Sequence, residues 1–205
     1  MASFAPGRAA PSITGAILAG ARARHVDGRD KGLVPVWGQP LLASVAERLS
    51  FQVDHLMVVA NRNLARYRRL VPAVYPDLVG GCQGPLAGMA TALRYAPTEL
   101  VLCVPCDKPN LPCDLAARLL AALRAEGTTV AVAHDGARAY PVVCLLRRGA
   151  LPSLLDTLRG EERRVQAWLA RQSVAIADFA DRPYAFSDRH WPRDRVRLEA
   201  KSLFQ

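Results

Sequence analysis

The residue in the most telling chemical position is Asp107. It stands in Pro105-Cys106-Asp107-Lys108-Pro109, directly after the apolar run Leu100 to Val104. A carboxylate just past the end of a buried strand can hold Mg2+ against a nucleotide phosphate. The same position would suit a cap for the helix expected near Pro112, or a plain turn, but the flanking prolines favour a rigid and defined loop. A second group of functional side chains lies between Leu18 and Gly32, where Arg22, Arg24, Arg29 and Lys31 are spread through a stretch rich in small residues. Backbone N–H groups of such a loop can cradle phosphates while the cations neutralise them. An ordinary solvated loop is the competing reading. The stretch is not a P-loop, because the glycines before Lys31 are wrongly spaced and no Ser or Thr follows it, and it is not the dinucleotide fingerprint either.

Three further features bear on chemistry. The run Gly80-Gly81-Cys82-Gln83-Gly84-Pro85-Leu86-Ala87-Gly88 leads into an expected helix with Pro in its first turn, where free N–H groups favour an anion. Asp77 precedes it, as a nucleotide contact or as a turn residue after Pro76. Asn61 and Asn63 follow a strand, where an amide reads a base edge or caps the next helix. Cys103 and Cys106 form a C-x-x-C, but a zinc site needs a second pair of ligands and only Cys113 is near. Cys103 falls on a buried strand, so core thiols are the better reading.

The elements that must position these groups alternate strand with helix. Strands are expected at Ile13–Leu18, His55–Ala60, Val71–Tyr75, Leu100–Val104, Thr128–Ala133, Tyr140–Leu146 and Val174–Ala177. Helices are expected at Leu41–Leu49, Arg62–Leu70, Pro85–Tyr95, Asp114–Arg124, Ala150–Leu158, Arg163–Arg171 and Arg193–Leu203. The pattern predicts an α/β fold: a Rossmann-like, mainly parallel sheet with helices on both faces. The turn dipeptide Asp135-Gly136 adds one antiparallel excursion late in the sheet. In such a sheet ligands bind outside the carboxyl ends of the strands, which directs attention to loops 19–32, 61–63, 76–88 and 105–109.

Composition narrows the classes. The 205 residues are 51% hydrophobic and 22% charged, enough to bury a core. No apolar run approaches the ~18 residues of a membrane-spanning helix, so no membrane partner is expected. Five cysteines are too few for a disulfide-stapled secreted fold, and a cytoplasmic location is expected. The stretch Pro11 to Ala21 holds Ser12, Thr14, Gly15 and Gly20, and reads better as a strand entering a glycine turn than as a signal peptide. Residues 1–11 are expected to form a flexible N-terminal extension and 12–205 a single domain. The net charge of +9 comes from 27 basic and 18 acidic residues, and arginines dominate the basic set. That excess suits phosphate ligands, or equally reflects G+C-rich codon usage. Dispersed basics and only 6% aromatics argue against nucleic acid.

Taken in order, Leu18-Ala19-Gly20, Asp30-Lys31-Gly32-Leu33, Ala60-Asn61-Arg62-Asn63, GPLAG at 84–88, PCDKP at 105–109, HDG at 134–136 and GEERRV at 160–165 resemble the molybdenum cofactor guanylyltransferases. The resemblance runs from about Ile13 to Phe179. It implies that 12–205 is a nucleotidyltransferase domain that joins the guanylate of GTP to molybdenum-molybdopterin and releases pyrophosphate. Carried over by position, Leu18, Ala19 and Gly20 line the guanine and ribose, Lys31 contacts phosphates, Asn61 and Asp77 help hold the nucleotide, and Asp107 binds Mg2+ and GTP. The implied partners are GTP, molybdenum-molybdopterin, molybdopterin-carrying proteins and apo-molybdoenzymes. Some positions depart from the family pattern. Ala21 fits neither the guanylate- nor the cytidylate-transferring version of the first loop. His25 stands where the family has an arginine, so Arg24 is the expected catalytic substitute. Val59 replaces an amide, and Asp188 to Pro192 replace the family's C-terminal motif. A weakened homologue that only binds or hands over the cofactor is the alternative that these departures raise.

Overall fold

The computed structural model describes residues 11–20, 30–36, 38–80, 84–160 and 163–186. Strand β1 (Ile13–Leu18) is buried at every position. Ile13 and Ile17 point into one apolar core, Ala16 and Leu18 into the other. Burial on both faces is why this strand is a continuous apolar run and not an alternating one. After it come a 3-10 turn (Lys31–Leu33), a short ribbon of β2 (Pro35–Val36) and β3 (Gln39–Pro40), α1 (Leu41–Ser50), β4 (His55–Val59) and α2 (Leu64–Arg68). The chain continues through β5 (Ala73–Tyr75), α3 (Pro85–Tyr95), β6 (Leu100–Pro105), α4 (Leu115–Ala125), β7 (Val130–His134) and β8 (Ala139–Arg147). A 3-10 turn (Arg148–Ala150), α5 (Leu151–Arg159), α6 (Val165–Leu169) and β9 (Val174–Asp178) follow.

Seven strands form one sheet in the order β5-β4-β1-β6-β8-β7-β9. Only β8 runs against its neighbours β6 and β7. It is the antiparallel excursion that Asp135-Gly136 predicts, with Gly136 at φ 89° in the turn. Helices α1, α2 and α4 cover one face through Leu42, Val45, Tyr67, Leu115 and Leu119. The other face is closed by α3, α5 and α6 through Leu86, Met89, Leu93, Leu154 and Trp168. The sheet is therefore the expected mainly parallel α/β layer, and the carboxyl ends of β1, β4, β5 and β6 lie along one edge.

Several boundaries differ from the sequence expectation. The helix expected from Arg62 begins at Leu64, because Asn63 takes a left-handed conformation (φ 53°) that interrupts helical backbone. The strand expected from Val71 begins at Ala73, and the helix expected over 163–171 covers only Val165–Leu169. The β2–β3 ribbon and the two 3-10 turns were not expected, since two- and three-residue elements carry no measurable period. The helix expected at Arg193–Leu203 and residues 1–10 of the expected extension lie outside the described residues.

Two packing details fix where the site-bearing loops start. A Cβ on Gly88 would lie 3.2 Å from Cδ2 of Leu18, so α3 packs directly onto the end of β1. At the other end of α3, Arg148 donates to the carbonyls of Leu93 (3.3 Å), Ala96 (2.5 Å) and Thr98 (2.7 Å), satisfying groups that the helix terminus leaves open. Part of the arginine excess is thus structural.

Candidate active site

Asp107 occupies a turn directly after β6, as its position in the sequence predicts. It does not cap α4, whose N-cap is Asp114. Lys31 Nζ donates to Asp107 Oδ2 at 3.2 Å, with the two side chains 38% and 23% exposed. Two residues 76 apart in sequence are thereby paired at the carboxyl ends of β1 and β6. The neighbouring Cys106 is buried, and burial together with the nearby Asp107 and Asp30 charges pushes its thiol far above the ordinary range. It remains a neutral thiol.

A second pair forms where β4 and β5 end. Asn61 Nδ2 donates to Asp77 Oδ2 at 2.6 Å, and the Asp77 backbone N–H donates back to Asn61 Oδ1 at 2.9 Å. Asp77 is therefore not a free turn residue, and Asn61 does not cap α2. Partial burial raises the Asp77 carboxyl above its ordinary value, opposed by the Asn61 donor. Among the described residues its side-chain partner is this neutral amide, not a cation. Gly20 closes this corner: a Cβ there would stand 3.1 Å from Asn61 Nδ2 and 3.6 Å from Asp77 Oδ2. Leu18 and Ala19, by contrast, turn their side chains into the two cores. Their backbone is engaged too, since Ala19 N–H donates to Val59 C=O at 2.8 Å and Leu18 C=O accepts from Cys106 N–H at 3.2 Å. Of the three residues, Gly20 is the one at the rim.

Sequence reasoning missed the groups behind Lys31. Asp30 accepts from the buried Tyr67 hydroxyl through Oδ1, and from Asn63 Nδ2 at 3.2 Å through Oδ2. Asn63 is at the N-cap position of α2 but makes no side-chain cap bond, so its amide serves the loop and not the helix. Asp30 and Asn63 were visible in their motifs. Nothing in the sequence links either to Tyr67.

The donor set suits magnesium. Among the described residues no three His, Cys, Asp or Glu side chains gather closely enough to cage a metal. A single hard carboxylate, half-open beside a cation, is what Mg2+ needs when nucleotide phosphates and water supply its other ligands. The zinc reading of Cys103 and Cys106 fails on geometry, because Cys103 lies in one core and Cys106 in the other, on opposite faces of the sheet. Arg24, with Arg22, His25 and Arg29, lies outside the described residues, as do Ala21 and Asp188 to Pro192. No helix of the described residues is long and apolar enough to cross a membrane.

The chain is similar to known proteins in both sequence and fold. A family model described as the MobA-like NTP transferase domain matches residues 15–176. A protein of Shewanella frigidimarina named molybdenum cofactor guanylyltransferase is 43% identical over 189 residues, 92% of this chain and 96% of the relative. One of the same name from Shewanella amazonensis is 42% identical over 193 residues, 94% of this chain and 98% of the relative. In fold, the chain is similar to the crystal structure of molybdopterin-guanine dinucleotide biosynthesis protein A from Archaeoglobus fulgidus. The TM-score is 0.72 at 19% identity, over 93% of this chain and 99% of that one. With a family match across most of its length and relatives above 40% identity, the chain belongs to the MobA-like NTP transferase family and is a nucleotidyltransferase.

Proposed function

We propose that this protein transfers the guanylate of GTP to the terminal phosphate of molybdenum-bearing molybdopterin and releases pyrophosphate. The observation that carries the proposal is the Gly20–Asn61–Asp77 corner beside the Lys31–Asp107 pair. An oxygen of the molybdopterin phosphate attacks the α-phosphorus of GTP, and the bond from that phosphorus to the bridging oxygen of pyrophosphate breaks. The attacking phosphate is already an anion, so no general base is required. The task left to the protein is positioning and charge neutralisation. Lys31 leaves Asp107 for the phosphates, and Asp107 is the ligand that would hold Mg2+ against them. Bound there, Mg2+ supplies positive charge to the phosphates as negative charge builds on the leaving group. Arg24 is assigned a second cationic contact, because a guanidinium keeps its charge at neutral pH and reaches two phosphate oxygens.

Base choice falls to Asp77. Guanine presents two adjacent donors, its ring N–H and its exocyclic amine, to a carboxylate that Asn61 holds by one bond to Oδ2, while Asn61 Oδ1 takes the Asp77 backbone N–H. Cytosine presents acceptors in the corresponding place, and an anion opposite them is repelled. Gly20 leaves room for the ring. Product transfer to a molybdopterin-carrying protein or an apo-molybdoenzyme completes the proposal, in the cytoplasm where GTP and magnesium are supplied. Incubation with molybdenum-molybdopterin, Mg2+ and either α-labelled GTP or α-labelled CTP tests it. Magnesium-dependent label transfer from GTP alone is expected, and equal transfer from CTP overturns the base assignment.

A further inference from the structure

Residues 30–32 are wrapped around one buried hydroxyl. The Tyr67 side chain is fully buried beneath the loop, and its O–H donates to Asp30 Oδ1. A Cβ on Gly32 would lie 2.6 Å from the same Tyr67 oxygen, so the loop backbone rests directly on the phenol. Lys31 stands between these two contacts and extends to Asp107. Asn63 holds the other oxygen of Asp30, using the left-handed turn that precedes α2. A buried phenol O–H requires a partner, and Asp30 is its acceptor. Burial and the Asp30 bond both push the Tyr67 ionisation far above neutral pH, so the hydroxyl remains a donor. The segment after β4 thus braces two places at once: Asn61 fixes Asp77, while Asn63 and Tyr67 fix the loop that carries Lys31.

The geometry points to Tyr67 as a positioning residue for Lys31: its hydroxyl, through Asp30, sets the backbone from which the lysine reaches the nucleotide phosphates. This rests on the nucleotide site proposed above. Tyr67 touches no substrate and acts only by holding the loop. Its hydroxyl should therefore matter for the phosphate half of the ligand and not for the base half.

Binding of GTP and of guanosine, measured by calorimetry on the full chain without molybdopterin, separates those halves. In Tyr67→Phe the guanosine Kd stays within about twofold of wild type, while the preference for GTP over guanosine falls by about tenfold, the scale of a lost hydrogen bond to a charged group. Lys31→Ala loses the same preference. Tyr67→Phe added to Lys31→Ala then costs little more, because one acts through the other. A purely structural role would lower the melting temperature without moving the GTP-to-guanosine ratio. Asp30→Ala approaches the same bond from the exposed side and serves if Tyr67→Phe does not fold. If Lys31→Ala loses the preference but both Tyr67→Phe and Asp30→Ala keep it, the positioning role is wrong and the nucleotide site stands. If wild type binds GTP no better than guanosine, the nucleotide site itself fails, and this inference with it.

Discussion

Two clusters of charge lie at the same edge of the sheet and are built in opposite ways. Arg118 on α4 is heavily bonded: Nη1 and Nη2 donate to Asp181 Oδ1 (2.6 Å) and Oδ2 (2.8 Å), and Nε donates to Asp114 Oδ2 (2.8 Å). Nη1 also reaches the Asp178 carbonyl at 3.1 Å, and the guanidinium lies 5.0 Å from the centre of the Phe179 ring. The pairing with Arg118 holds the Asp181 carboxyl down at about 2. At the other cluster, Lys31 and Asp107 share one 3.2 Å contact, and Asp77 is held by a neutral amide with its carboxyl raised. The first arrangement commits four of the five Arg118 N–H donors to the fold, pinning the chain after β9 to α4. The second leaves charge uncompensated and donors available. A cluster that must accept a ligand stays electrostatically incomplete until the ligand arrives, and that incompleteness lowers stability.

Substitutions can break this contrast or sharpen it. The largest effect belongs to Asp107→Ala, for which magnesium-dependent turnover should fall by about a thousandfold, at the upper end of what one electrostatic group supplies. Its melting curve should match wild type, since the pair it loses is half-exposed. A turnover assay beside a thermal melt checks both. Next is Asp77→Asn, which keeps an acceptor for Asn61 but removes the charge; GTP affinity should fall by roughly tenfold to a hundredfold. A carboxyl whose folded value is raised penalises folding while ionised, so this variant should melt no lower than wild type at pH 7. GTP affinity of wild type should weaken on acidification from above the ordinary value of 3.8, because only the carboxylate accepts both guanine donors, and Asp77→Asn should lose that slope. Titrations of GTP across pH test the pair.

Gly20→Ala comes third. Its methyl would press on Asn61 at 3.1 Å, a neighbour that gives by a few tenths of an ångström, so GTP affinity should drop by only about threefold. Arg118→Ala has the smallest effect on chemistry, with turnover within about twofold of wild type below its melting point, though its melting temperature should fall by a few degrees. The linkage at this cluster has the opposite sign to that at Asp77. A depressed carboxyl stabilises above the unfolded value near 3.8, and the gain is lost as pH falls toward about 2. Acid unfolding of Arg118→Ala should accordingly begin at higher pH than that of wild type. An Arg118→Ala protein that lost turnover while folded would erase the distinction between the two clusters.

The fold was largely legible in the chain. The span of β1 and the start and end of α3 agree with the expected Ile13–Leu18 and Pro85–Tyr95, because a continuous apolar run and a Pro-initiated helical period are local signals. The place of Asp107 after β6 follows from the same local pattern. Leu18 and Ala19 were less legible: the motif marks them, but only packing shows that both side chains are core and that Gly20 alone meets the rim.

Local patterns in the chain mark the main strands and helices, their mainly parallel α/β assembly and the loops at its carboxyl edge, but not the β2–β3 ribbon or the two 3-10 turns. Periodicity and turn chemistry act over a few residues, and crossover handedness leaves few ways to assemble such elements. The partners are set by tertiary packing. Asn61 meets Asp77 across 16 residues, Asp30 meets Tyr67 across 37, and Lys31 meets Asp107 across 76. Those choices depend on strand order and on how closely each loop approaches its neighbour, distances that no local pattern encodes. They also decide the electrostatics, since an exposed carboxylate bonded to a guanidinium and one raised by partial burial carry the same letter in the chain but shift in opposite directions.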